Sequence, residues 1–112
     1  MKIAIVGSRG VVINDFEEYI GDCEEIISGG AKGVDSCIEE YAKNNGIKMT
    51  VILPEYNLYG RAAPIVRNKK IVDLADKIIV FWDGQSKGSL SVIKYAEKIG
   101  KECKVVICKN GA

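Results

Sequence analysis

Short apolar runs alternate along this chain with segments of helical periodicity, and that alternation narrows the fold more than any other feature. The runs are Lys2–Val6, Cys23–Ser28, Lys48–Leu53, Lys77–Trp82 and Lys104–Cys108. Between them, Val34, Cys37, Ile38, Tyr41 and Ala42 follow the i, i+3, i+4, i+7, i+8 spacing of an amphipathic helix, stopped by Gly46. Asn14, with Glu17 three residues on, makes a capping box for an earlier helix that puts Phe16, Tyr19 and Ile20 on one face. Pro64 suits the first turn of a helix running to about Ala75, and Ser89–Ile99 reads as a last helix closed by Gly100. Strands that are apolar on both faces and alternate with helices predict a parallel sheet covered on two sides. Right-handed crossovers then give an α/β, Rossmann-like three-layer sandwich of about five strands in the order 3-2-1-4-5.

The 112 residues make one domain, 1–112, with no internal repeat, low-complexity tract or linker. A chain of this size buries roughly two-thirds of its unfolded surface, enough for a real core. Sixteen basic residues oppose fifteen acidic ones, so the formal net charge is +1 and bulk charge gives no argument for duplex DNA or a membrane surface. No apolar run approaches the roughly 18 residues a membrane span needs. The N-terminus enters a strand without a signal-like segment, so the expected location is cytoplasmic. Cys23, Cys37, Cys103 and Cys108 form no CxxC pair and read as reduced thiols rather than a zinc site. There is no histidine, which removes the commonest general base and any Ser-His or Cys-His nucleophilic pair. No metal and no cofactor is expected.

Glycine gathers where strands hand over to helices. Gly7-Ser8-Arg9-Gly10 follows the first strand, and Ser28-Gly29-Gly30-Ala31-Lys32-Gly33-Val34-Asp35 follows the second. Glycine lets a ligand approach the main chain, and a helix N-terminus offers free N–H groups to an anion. Two such turns on neighbouring strands place two anion-binding ends side by side, which points to a nucleotide or nucleotide-like ligand. In sheets of this kind ligands sit past the carboxyl ends of the strands, at the switch point between strands one and four. The GxxxxGK[ST] spacing of a P-loop is absent. Asp35 falls in the first turn of its helix, where the dipole alone favours a carboxylate; a bond to a ribose hydroxyl is the functional alternative.

Two later loops complete the candidate site. In Tyr59-Gly60-Arg61-Ala62-Ala63-Pro64-Ile65-Val66-Arg67-Asn68, Arg61 and Arg67 bracket a helix start, and the planar arginine fork suits phosphate or carboxylate. Tyr56 and Tyr59 could stack on a base, or simply be exposed loop aromatics. Trp82-Asp83-Gly84-Gln85-Ser86-Lys87-Gly88-Ser89 is a further glycine-bearing turn into a helix at the switch point. Asp83 could accept from a sugar or amine, or serve the turn as Asp-Gly pairs commonly do. The candidate ligand-binding set is therefore Gly7, Ser8, Arg9, Ser28, Gly29, Gly30, Ala31, Gly33, Asp35, Arg61, Arg67, Asn68, Trp82, Asp83, Gly84, Ser86, Gly88 and Ser89.

In their order, GSR, SGGAKGVD, GRAAPIVRN and WDGQSKGS resemble the SLOG superfamily, closest to its small single-domain branch related to YspA and YpsA. The resemblance runs from Ile3 to about Val106. Ser28–Asp35 and Arg67–Ile71 are similar to the SGxARGID and RNRII segments of the Smf/DprA DNA-processing proteins. The superfamily also holds the LONELY GUY phosphoribohydrolases, and its shared theme implies a pocket for nucleotides or their derivatives. The phosphoribohydrolases carry PGGxGTxxE with a catalytic glutamate; here Arg67 matches the family's arginine, but Val92 falls at the glutamate position. The implied function is binding of a nucleotide-derived ligand, with a sensor role as one form of it, rather than an enzyme with catalytic residues. An N-glycosidic hydrolase is the alternative, and DprA-like single-stranded nucleic-acid binding a third, less favoured one. The relatives commonly associate, so a homodimer is expected, with the helix from Pro64 and the last helix, carrying Tyr95 and Ile99, as candidate surfaces.

Overall fold

Each of the five strands pairs in parallel with its neighbours, and their spatial order is third, second, first, fourth, fifth. The computed structural model describes residues 1–7, 16–21, 23–29 and 34–108. The strands are β1 (Lys2–Gly7), β2 (Glu25–Ser28), β3 (Lys48–Val51), β4 (Lys77–Trp82) and β5 (Cys103–Ile107). The helices are α1 (Glu17–Ile20), α2 (Val34–Asn44), α3 (Tyr56–Tyr59), α4 (Ala63–Leu74) and α5 (Lys87–Ile99), with a 3-10 turn over Gly60–Ala62. The Rossmann-like α/β architecture expected from the alternation is the one observed.

Residues on alternate sides of the strands feed two cores. Ile3, Ile5, Ile26, Ile79 and Phe81 pack with Phe16 and Ile20 on the α1 side and with Ile38 and Ala42 of α2. Ala4, Ile27, Ile78 and Val80 pack on the other face with Ile71, Val72 and Ala75 and with Val92 and Ala96 of α5. This division is the strand period of two meeting the helical period of 3.6. β1 and β4 lie at the centre and are closed to water on both faces, which is why they read as unbroken apolar runs.

The edges depart from that pattern. Lys48–Leu53 was expected as a strand throughout; the ladder stops at Val51, whose partner is Ser28. Ile52 still donates its N–H to the Ser28 carbonyl, at 2.8 Å, before Pro54 turns the chain away. β5, the edge strand, is apolar but not buried on both faces: Val105 and Ile107 face solvent. β2 begins at Glu25 rather than Cys23, and α5 begins at Lys87, two residues earlier than expected, with Ser86 as its N-cap. Asn14, the expected cap of the first helix, lies outside the described residues. The helix Tyr56–Tyr59 was not anticipated; it has no buried residue and so leaves no periodic signature.

Candidate functional site

The carboxyl ends of β1 and β2, the middle of α4 and the first turn of α5 converge on one open cleft. Its walls are Val6 and Gly7 from β1, Gly29 after β2, Arg67, Asn68 and Ile71 from α4, and Ser86, Gly88 and Ser89 at the start of α5. Its interior is small, about 90 Å³, and it opens broadly to solvent. Parallel strands all end on the same side of the sheet, and the chain leaves β1 toward one face and β4 toward the other. The crevice between those exits is where such sheets place a ligand. Seven of the residues expected at a ligand from the sequence line this cleft: Gly7, Gly29, Arg67, Asn68, Ser86, Gly88 and Ser89.

Arg67 is the one charged residue among the described residues that line the cleft. Its guanidinium is held in place from two sides. Nε donates to Asn68 Oδ1 at 2.8 Å, and Nη1 donates to the Gly29 carbonyl at 2.8 Å. Charge-assisted bonds of this kind fix both the position and the plane of the fork. Gly29 is required by that contact rather than by its dihedral angles. A Cβ there would stand 2.9 Å from Nη1 of Arg67, closer than real Cβ contacts come, and 3.2 Å from its Cζ, so the end of the arginine would have to move. The glycine read from sequence as making room for a ligand thus makes room first for the arginine that faces the cleft.

Asn68 links α4 to the start of α5. Only 8% exposed, it accepts from Arg67 and donates through Nδ2 to the Gly88 carbonyl across a long 3.4 Å. Because Asn68 also lines the open cleft, its amide is within reach of whatever fills it. Ser89 is almost fully buried beside it. At the N-terminus of α5 the Ser86 Oγ accepts from the Ser89 N–H at a long 3.5 Å, and Gly88 has open space where a Cβ would go, its nearest neighbour being Ser86 Oγ at 4.0 Å. The first N–H groups of a helix of this length carry its positive dipole end.

The remaining expected residues take other places. Ser28 is fully buried in β2 and joins the sheet edge through Ile52. Arg61 is exposed on the 3-10 turn and is not among the cleft's walls. Trp82 packs against the α4/α5-side core and donates its indole N–H to the Ser86 carbonyl at 3.0 Å. Asp83 serves the turn: its Oδ1 accepts from the Gln85 and Ser86 N–H groups, each at 2.8 Å, with Gly84 at φ +84° between strand and helix. Ser8, Arg9, Gly30, Ala31 and Gly33 lie outside the described residues, as does the side chain of Asp35. Val6 and Ile71 are walls that sequence reasoning did not name; both sit one or three residues from named ones and read simply as core.

Val92 is fully buried in the α4/α5-side core. Among the described residues no group of His, Cys, Asp and Glu is arranged to hold a metal, and no helix is long and apolar enough to cross a membrane. Burial pushes the thiols of Cys23, Cys103 and Cys108 up from their ordinary range, which makes them poor nucleophiles. No protein-family model matches this chain, and no curated protein matches it.

Proposed function

We propose that this chain binds a nucleotide or nucleotide-derived small molecule in the cleft between β1, β2, α4 and α5, and that it does so as a SLOG-type binding domain or ligand sensor. The observation that carries the reading is the fixed guanidinium of Arg67, held by Asn68 and by the Gly29 carbonyl at the wall of a switch-point cleft. A phosphate suits that place. It would meet the arginine, the Asn68 amide and the start of α5, all donors, with no carboxylate among the described walls to oppose it. A cytoplasmic setting belongs to the same proposal, and the four free thiols fit a reducing compartment.

The hydrolase alternative needs a carboxylate near the anomeric carbon, where positive charge develops in glycosidic cleavage. Val92 supplies none, and one carboxylate oxygen of Asp83 already bridges two backbone N–H groups. Both observations favour binding without turnover. The test is calorimetric titration with nucleoside mono-, di- and triphosphates, joined to native mass spectrometry of protein taken from cells. Binding of at least one of them by the parent and its loss in Arg67→Ala supports the reading. No binding of any of them, and no co-purifying nucleotide-like mass, overturns it.

A further inference from the structure

α4 and α5 pack side by side on one face of the sheet, and between them they supply Arg67, Asn68, Ile71, Ser86, Gly88 and Ser89 to the cleft. The spacing of the two helices therefore sets the spacing of those walls. At the cleft the Asn68 amide reaches the Gly88 carbonyl only across 3.4 Å. Shorter bonds tie the last turn of α4 to the far end of α5. The Tyr95 hydroxyl donates to Asp73 Oδ1 at 2.8 Å, and Lys101 Nζ donates to the Val72 and Asp73 carbonyls at 2.8 and 3.1 Å.

The end of α5 itself delivers Lys101 to that place. Gly100 turns left-handed at φ +72°, its N–H goes to the Glu97 carbonyl, and the Lys101 N–H goes to the Ala96 carbonyl at 2.9 Å. This closure stops the helix and fixes where the next side chain leaves it. α4 lacks what arrives. The last four carbonyls of a helix have no partner within it and carry the negative end of its dipole, yet the last turn of α4 holds no basic residue. Val72 and Asp73 supply two of those carbonyls, and their cation comes from the end of the next helix.

We propose that Lys101, Tyr95 and Asp73 form a latch that fixes the spacing of α4 and α5, and so act as positioning residues for the cleft, which none of them lines. Val72, Val92 and Ala96 share a core between the helices, but apolar burial is non-directional; the latch bonds add direction. Val72 follows Ile71, a cleft wall, and stands one helical turn beyond Asn68, about 6 Å along the axis. The effect on a ligand rests on the binding reading above; the latch itself does not.

Amide hydrogen exchange and calorimetric titration with nucleoside monophosphates test this on the parent, Lys101→Met, Lys101→Arg and Tyr95→Phe. Lys101→Met keeps an unbranched stem without its donors, and Tyr95→Phe removes one hydroxyl, a milder second variant whose fold circular dichroism will verify. The amides that matter are those of Ser89 and Leu90, about three helical turns from Lys101. Lys101→Met should speed their exchange about tenfold and Tyr95→Phe by less, with Ile5 and Val80 of the central strands at parent rates. Lys101→Arg, which can still donate to both carbonyls, should restore parent behaviour. Where the parent binds nucleotide, Lys101→Met should raise Kd about three- to tenfold and Lys101→Arg should recover it. Faster exchange confined to the far ends of the two helices, faster exchange everywhere alike, no recovery in Lys101→Arg, or an unchanged Kd overturns the proposal. A parent that binds no nucleotide sinks the functional reading instead, and exchange at Ser89 and Leu90 then decides the latch alone.

Discussion

Arg67 and Gly29 share a space that only one side chain can occupy. Nη1 of Arg67 donates to the Gly29 carbonyl at 2.8 Å, and a Cβ on Gly29 would lie 2.9 Å from that same nitrogen. Gly29→Ala should therefore move the far end of the arginine rather than the backbone. The variant is expected to fold with nearly the parent melting temperature and to lose ligand affinity about as far as Arg67→Ala does. The double variant should be little worse than either single one, because both remove the same interaction. Additive losses in that cycle would show that Gly29 acts independently of Arg67.

Arg67 should matter far more to the ligand than the lysines beside it. A charge-assisted hydrogen bond contributes about 1.5–3 kcal/mol, so Arg67→Ala should weaken nucleotide binding by tens-fold. Lys69 stands 5.7 Å from the centre of the Tyr95 ring, and Lys70 is engaged with Glu55 and Tyr59, all away from the cleft walls. Lys69→Ala and Lys70→Ala should leave the titration isotherm unchanged. Arg67→Lys should not restore affinity, since an ammonium cannot hold the Asn68 and Gly29 acceptors in one plane. Equal losses from arginine and lysine variants would mean that only general charge is felt.

No release of free base from nucleoside monophosphates is expected, and inserting the missing carboxylate should not create it. Val92 is fully buried among Ile71, Val80 and their neighbours, so Val92→Glu places an unpaired carboxylate in the core. Uncompensated buried charge costs about 3–5 kcal/mol, a large share of the roughly 5–15 kcal/mol that holds a domain together. A sharp drop in thermal midpoint, without activity, is the expected result. Asp83→Asn keeps the Oδ1 acceptor that the turn uses and should fold normally. Turnover in the parent that disappears in Asp83→Asn would contradict this expectation directly.

A carboxylate at the sheet edge sets a pH dependence. The Glu25 side chain is held below the ordinary glutamate range, chiefly by the Thr50 hydroxyl donating to Oε2 at 2.9 Å and then by Lys48. A lowered folded-state pKa means the ionised form favours the native state. Its contribution is complete above the unfolded-state pKa and fades as pH falls through the folded-state value. Thr50→Val should reduce the loss of melting temperature on acidification below about pH 4–5, the region where free glutamate titrates. An unchanged slope in the variant would assign the acid sensitivity to other groups.

The legible and illegible parts of this molecule divide along burial. β1, β4 and α2 were readable because each has a face whose apolar spacing is imposed by the core, and the strand order follows once every crossover is right-handed. α3 was not readable, since its exposed Tyr56, Leu58 and Tyr59 obey no core. Within the site, Gly88 and Ser89 were legible because strand ends and helix starts meet at the switch point, and Arg67 because its planar fork suits an anion. The roles of Asp83 and Trp82 were open because either could face a ligand or close the turn, and only distance decides. The contact between Gly29 and Arg67 joins residues far apart in the chain, so no local pattern records it.

Trp82 is the chain's single tryptophan, and its indole N–H ends on the carbonyl of the residue that caps α5. That bond makes the protein its own optical instrument. Indole emission shifts with the polarity and hydrogen bonding of the ring, and here the ring is wired to the helix start that walls the cleft. Whatever draws the first turn of α5 inward, or pushes it out, will be written into the colour and intensity of one fluorophore, with no dye and no label needed to read it.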